Sequence, residues 1–349
     1  MIEEKKRPGM GRGIAGCVLG AVLAYVSPLA LLTELTSLLP VIMLPSVGLA
    51  LIYRWAGRGP ALFSGMMMLM FDAAYFGSTF MWAAFFMTLM PLTAVIRMQR
   101  APFGAQMRAA VAMFTAGLIA GVAALCAGYG GNMIERMLQA LPEAIRALPQ
   151  EKLAMLLESV SVMLGRTLRV EEFYAYIEGM LDGLLPYYEL NLPGLLFSGA
   201  LLSAVLCVGA GNLLRRRMGE ADEALCPPLR EWALPANTTG GIVLMLAASY
   251  LLEWLNLRGG QAARIAVYDV MLTAFCIQAL ASIARRMHAS AMPHGLKLSL
   301  CTAAALLALL GGAEIVALYG SFSAISGSRG AIRQRMRRDG SGGDKSNGQ

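Results

Sequence analysis

Histidine is almost missing from this 349-residue chain, which holds only His288 and His294. That scarcity removes the histidine-based metal centres and most acid–base sites that work near neutral pH. Both histidines fall in a stretch with Arg285 and Arg286 and read as solvated loop residues. Charge is also scarce, at 15% of residues, against roughly 25% in a soluble domain. The six cysteines (Cys17, Cys126, Cys207, Cys226, Cys276 and Cys301) stand far apart. They form neither a disulfide framework nor a CxxC site, and read as small apolar packing residues. There is no HExxH, no GxSxG and no GxxxxGK[ST]. These absences exclude a zinc peptidase of that type, a serine hydrolase elbow and a nucleotide-binding P-loop. The chain reads as a non-enzyme with no cofactor.

What it has in excess is apolar sequence, 57% of all residues. About 20 residues at 1.5 Å rise cross a hydrocarbon core of roughly 30 Å. Segments of that kind are expected at 13–33, 35–53, 60–76, 79–96, 107–129, 192–214, 237–254, 264–283 and 298–325. The fold class expected is all-α, a polytopic transmembrane bundle of about nine membrane segments. Most of the 29 Lys and Arg lie in alternate connections and in the two tails. The positive-inside rule therefore places the N-terminus in the cytoplasm. The N-terminal run follows Lys5, Lys6, Arg7 and Arg12 but has no clear A-x-A cleavage site. It reads as an uncleaved first span. The net charge of +7 is spread beside apolar runs, as lipid headgroups require, and nucleic acid is not an expected partner.

Five regions follow. Residues 1–12 are a basic cytoplasmic tail, and 13–129 a five-span N-terminal half. Residues 130–191 form an extracytoplasmic loop, 192–325 the C-terminal membrane half, and 326–349 a disordered basic tail. In the loop, Leu153, Leu156, Leu157, Val160, Met163 and Leu164 fall at helical spacing, as do Phe173, Tyr176, Ile177, Met180, Leu181 and Leu184. Pro142, Pro149 and Pro186 divide it into three short amphipathic helices. It is expected to cap the outer ends of the spans, or to act as a lid over a ligand. Nine single crossings would put the basic C-terminal tail outside. A helix–Gly-Gly–helix hairpin at Gly311-Gly312 is expected instead, returning the tail to the cytoplasm.

Polar residues inside spans are the candidate site. An intramembrane carboxylate costs about 2.5 to 3.5 kcal/mol even on the lenient insertion scale. Asp72, Asp269, Gln278 and Glu314 are thus the candidate ligand-binding residues. Asp269 and Gln278 lie two and a half turns apart, on opposite helix faces. Glu34 and Glu253 read as boundary residues. The methionines Met66, Met67, Met68 and Met70 read as gap-fillers, because neighbouring helical positions diverge. The sequon at Asn237-Thr238-Thr239 falls at a cytoplasmic span end and carries no weight.

Three segments resemble, in order, the YybS-like family of bacterial multi-pass membrane proteins. Leu229-Arg230-Glu231-Trp232-Ala233-Leu234-Pro235 is similar to that family's "f-x-x-W-x-L-P" lead into a span. Cys276-Ile277-Gln278-Ala279-Leu280-Ala281 is similar to its "Q-G-L-S", with Ala279 in place of Gly. Leu310-Gly311-Gly312-Ala313-Glu314-Ile315 is similar to its "L-G-x-x-D", with Glu314 in place of Asp. The resemblance implies a bacterial plasma-membrane protein with no established reaction. It also implies a distant likeness to the substrate-binding subunits of energy-coupling-factor vitamin transporters, whose ATPase module is a separate chain. The expected function is small-molecule or ion binding or transport with an unidentified ligand. A membrane scaffold or regulatory partner is the alternative.

Overall fold

A computed structural model describes residues 10–37, 44–130, 145–146, 149–219, 227–309 and 312–326. Among these residues the chain is helical throughout, with no strand. The N-terminal unit comprises α1 (Met10–Ser37), α2 (Leu44–Ala56), α3 (Arg58–Phe76), α4 (Ser78–Ala84), a π-helical turn (Phe85–Leu89), α5 (Met90–Arg97) and α6 (Phe103–Tyr129). Next come α7 (Gln150–Leu164) and the 48-residue α8 (Val170–Arg217). After a short 3-10 turn (Leu229–Glu231) follow α9 (Ala236–Trp254), α10 (Gly260–Ala289) and α11 (His294–Leu309). The last helix is α12 (Ala313–Ser326).

Four helical stretches among the described residues are long and apolar enough to cross a membrane: Ser78–Arg97, Phe103–Gly128, Pro186–Arg217 and Gly260–Ala289. A fifth is added if α11 and α12, which meet at 116°, count as one broken span. This is fewer than the nine segments expected. α2 has 13 residues and spans only about 20 Å. α3 is diluted by Arg58 and Asp72, and α9 by its Asn-Thr-Thr-Gly-Gly start and Glu253. Met10–Tyr25 of α1 is a shorter apolar helix. The expected Gly-Gly break falls at residues 310–312, of which 310 and 311 lie outside the described residues.

Close helix approach is made by small residues. A side chain at Gly16 would strike Ala56 and Pro60, and one at Gly20 would strike Ser64. On α6, Gly117, Gly121 and Gly128 lie directly on Phe86, Met87 and Thr79. Such contacts drive helix association where lipid cannot supply a hydrophobic force. The main core joins Leu49 and Ala50 of α2, Met68 of α3, Phe114 and Leu118 of α6, and Ala200, Ala204 and Cys207 of α8. By contrast, Val243, Leu244, Met245, Leu251 and Trp254 of α9 point outward. An apolar surface of that kind suits lipid rather than water. Met68 is buried while Met66 and Met70 are exposed, so the methionines fan around α3.

A second, smaller core lies at the far end of α8. There Leu168, Phe173, Ile177 and Leu181 pack on Leu153, Leu157, Val160 and Leu164 of α7. The α7 helix starts after Pro149 and ends at Gly165, whose φ of 67° relieves the turn. Glu172 caps α8 by accepting the Arg169 amide at 3.3 Å. Pro186, expected to end a helix, sits inside α8 together with Pro193. Each proline withholds one amide hydrogen, so the carbonyls of Asp182 and Glu189 are freed. Both positions lie near the middle of the 48-residue helix. Pro142 lies outside the described residues.

Candidate functional site

The basic end of the N-terminal unit is tied together through amide side chains. Gln106 donates to the carbonyls of Ala101 (2.8 Å) and Gln99 (3.3 Å) and accepts from Asn212 Nδ2 at 3.3 Å. Arg215 donates to the Gln99 carbonyl at 2.9 Å. Gly211 faces the Arg54 guanidinium. These contacts close the ends of α2, α6 and α8, and the arginines gathered here form one face of the molecule.

In the C-terminal half, α10 is the hub. Gln278, buried on α10, accepts the Leu234 amide at 2.9 Å through Oε1 and reaches Ser282 Oγ at 3.5 Å. Ser282 in turn shares a hydrogen bond with Ser323 of α12. Arg285 donates to the carbonyls of Arg230 (2.8 Å) and Trp232 (3.1 Å). Trp232 donates to the Pro227 carbonyl at 3.1 Å and its ring lies 4.8 Å from that of Phe103. The 229–235 segment is thus held between α6, α8 and α10. Cys276 donates to the Ala313 carbonyl at 3.3 Å. The 229–235 segment and the start of α12 therefore both meet α10.

The four candidate residues do not converge. Asp72 is 0% exposed inside the N-terminal unit, and neither carboxylate oxygen has a hydrogen-bond partner among the described residues. Asp269 is half-buried on α10, against Gly194 of α8, where any side chain would strike its carboxylate. Gln278 lies more than two turns along the same helix, engaged with backbone as described. Glu314 is exposed near the start of α12 and accepts from the Tyr268 hydroxyl at 3.0 Å. No two of the four are hydrogen-bonded to one another. His288 is exposed and its Nδ1 lies 3.2 Å from Arg230.

A cleft of about 540 Å³ opens between the middle of α8 and the α9–α10 turn, among Pro186, Glu189, Glu253, Asn256 and Gln261. Arg264 forms an ion pair with Glu253 and stacks 5.5 Å over the Tyr250 ring. The turn between α9 and α10 uses φ of 51° at Asn256 and 83° at Gly259. Glu253 and Arg264 escaped the sequence reading because each looks like a span boundary. Their pairing across the α9–α10 turn was the one available signal. No group of three or more His, Cys, Asp or Glu positioned to hold a metal ion occurs among the described residues. Comparison with family models, with curated proteins and with solved structures finds no match to this chain.

Proposed function

We propose that this chain is a multi-pass membrane protein, of the YybS-like kind, that binds a small polar molecule or ion as a transporter or as its substrate-binding subunit. The observation that carries this reading is the cap-side cleft. Its volume falls within the roughly 300–1,000 Å³ of small-molecule sites. It offers two carboxylates, Glu189 and Glu253, and two side-chain amides, Asn256 and Gln261, a set suited to a small ligand bearing an amine. Asp269 lies beneath it on α10, and the α7–α8 hairpin stands beside its mouth as a lid or cap.

In this reading all nine apolar segments lie in the bacterial plasma membrane. The basic end and both tails face the cytoplasm, and the α7–α8 hairpin faces outside. A nucleotide-driven transporter would need its ATPase from a separate chain. The test is a thermal-shift screen of the purified full chain against amino acids, vitamins and metal ions. A ligand at 100 times its Kd adds about 2.7 kcal/mol. Its shift should shrink in Glu253→Gln, and a screen without any hit ends the proposal.

The separation of Asp72, Asp269, Gln278 and Glu314 favours a second reading, a membrane scaffold or regulatory partner without transport. Crosslinking in cells separates the two, since a scaffold yields a stoichiometric protein partner and a transporter subunit yields an ATPase module.

A further inference from the structure

One ionisable side chain of the N-terminal unit is completely enclosed. α1 and α3 run parallel in a fixed register, with Gly16 over Pro60 and Gly20 over Ser64. The Tyr25 and Phe71 rings, 6.0 Å apart, keep to it. Steps of four residues carry the register to Ala24 with Met68, at 1% and 0% exposure, and then to Pro28 with Asp72. Pro28 lies inside α1 and has no amide hydrogen, so the Ala24 carbonyl lacks its i+4 donor. A carboxyl group with no partner among the described residues and a carbonyl without its helical donor thus face the same level of one interface.

One level below Asp72, on α2, Ser46 is buried and donates to the Thr88 carbonyl at 3.4 Å. Thr88 sits in the π-helical turn, a distortion that recurs at functional positions.

No described charge balances Asp72 at its depth. On the elements packed against α3, the titratable groups with described side chains are Arg12, Cys17 and Tyr25 of α1 and Tyr53 and Arg54 of α2. α3 itself adds Arg58 and Tyr75, while α4 and the π-helical turn have none. Arg54 and Arg58 lie at the basic end, about 20 Å away along the helices. Tyr25 and Tyr75 are exposed, on the outer surface. An ionised carboxylate without a partner is strongly disfavoured in such surroundings, so the group must carry a positive ligand.

We propose that Asp72 is the carboxyl group of a monovalent-cation site, for H+ or Na+, at the α1–α3 interface. The Ala24 carbonyl supplies a second oxygen. The site lies in the other half of the molecule from the cap-side cleft and does not depend on a ligand there.

The test uses the full chain in lipid nanodiscs. Its melting temperature is followed as NaCl replaces choline chloride at constant ionic strength, and separately across a pH series without Na+. A saturable rise with Na+ identifies Na+ as the ligand, and a pH-dependent component of the melting temperature that Asp72→Asn removes identifies the proton. Asp72→Asn, which imitates the neutral acid, should lose whichever response the native chain shows. A native chain insensitive to both, or a response retained in Asp72→Asn, overturns the proposal. Should Asp72→Asn fail to fold, Pro28→Ala decides. It restores a donor to the Ala24 carbonyl and should move the midpoint about tenfold in Na+ or proton concentration; an unmoved midpoint overturns the proposal. No cleft ligand enters these measurements, so either reading can fail without the other.

Discussion

The side-chain amide of Gln278 works in both directions from one buried position, accepting the Leu234 amide and reaching Ser282. Gln278→Leu keeps the volume but strands the Leu234 amide. An orphaned buried donor costs about 1–3 kcal/mol, and chemical or thermal unfolding of the purified chain should show a loss of that size. Glu314 is expected to behave differently. It is exposed, and its one described bond comes from Tyr268. Side-chain hydrogen bonds between membrane helices average about 0.6 kcal/mol, so Glu314→Gln and Tyr268→Phe should each change stability by no more than about 1 kcal/mol. A larger loss in either would mean that the pair bears structural load. Sequence alone marked both positions as polar residues in apolar runs. It could not separate them, because the partner of Gln278 is a backbone amide 44 residues away. A backbone partner leaves no signature in residue type.

Among the elements, the α1–α3 pair shows how little of the packing was legible. The helices themselves follow from apolar run length, and α3 begins and ends close to its expected bounds. Their contact depends on Gly16 and Gly20 meeting Pro60 and Ser64, a register that appears only after folding. Gly20→Val should force α1 from α3 and cost about 1–3 kcal/mol. Gly13→Val, whose Cβ would meet nothing within 4 Å, should be close to neutral. Equal effects of the two would show that helix propensity, not contact with Ser64, sets the cost. α8 is the opposite case. Helical spacing identified Phe173, Ile177 and Leu181 as one face, and they are buried together. Pro186 was read as a stop because proline disfavours a helix interior by about 3 kcal/mol. The helix nonetheless runs through Pro186, with Leu181 buried before it and Leu192 packed against the main core after it. The cap-side cleft was not legible either, because its lining comes from the middle of α8 and from the α9–α10 turn, distant in sequence.

For the whole molecule, the decisive question is how the array sits in the membrane. Arginines at the ends of α2, α5 and α8 share one face of the structure, and α7 with the first turns of α8 projects from the opposite one. A bilayer between those faces accounts for the outward apolar side chains of α9, which would otherwise be an aggregation surface. It also gives meaning to the 116° bend between α11 and α12. A bend of that size brings α12 back along α10, where Ser323 meets Ser282 and Gly320 lies directly on the Phe275 carbonyl. If the pair is re-entrant, the basic tail returns to the side of the other arginines. Single-cysteine labelling in a background without the native cysteines tests this directly. Gln150→Cys should react with an impermeant reagent from outside the cell. Glu220→Cys and Ser341→Cys should react only after the membrane is opened. An outside-reactive Ser341→Cys would make the α11–α12 pair a single bent crossing and leave the basic tail outside. A protected Gln150→Cys would instead invert the whole array and place the cap-side cleft in the cytoplasm.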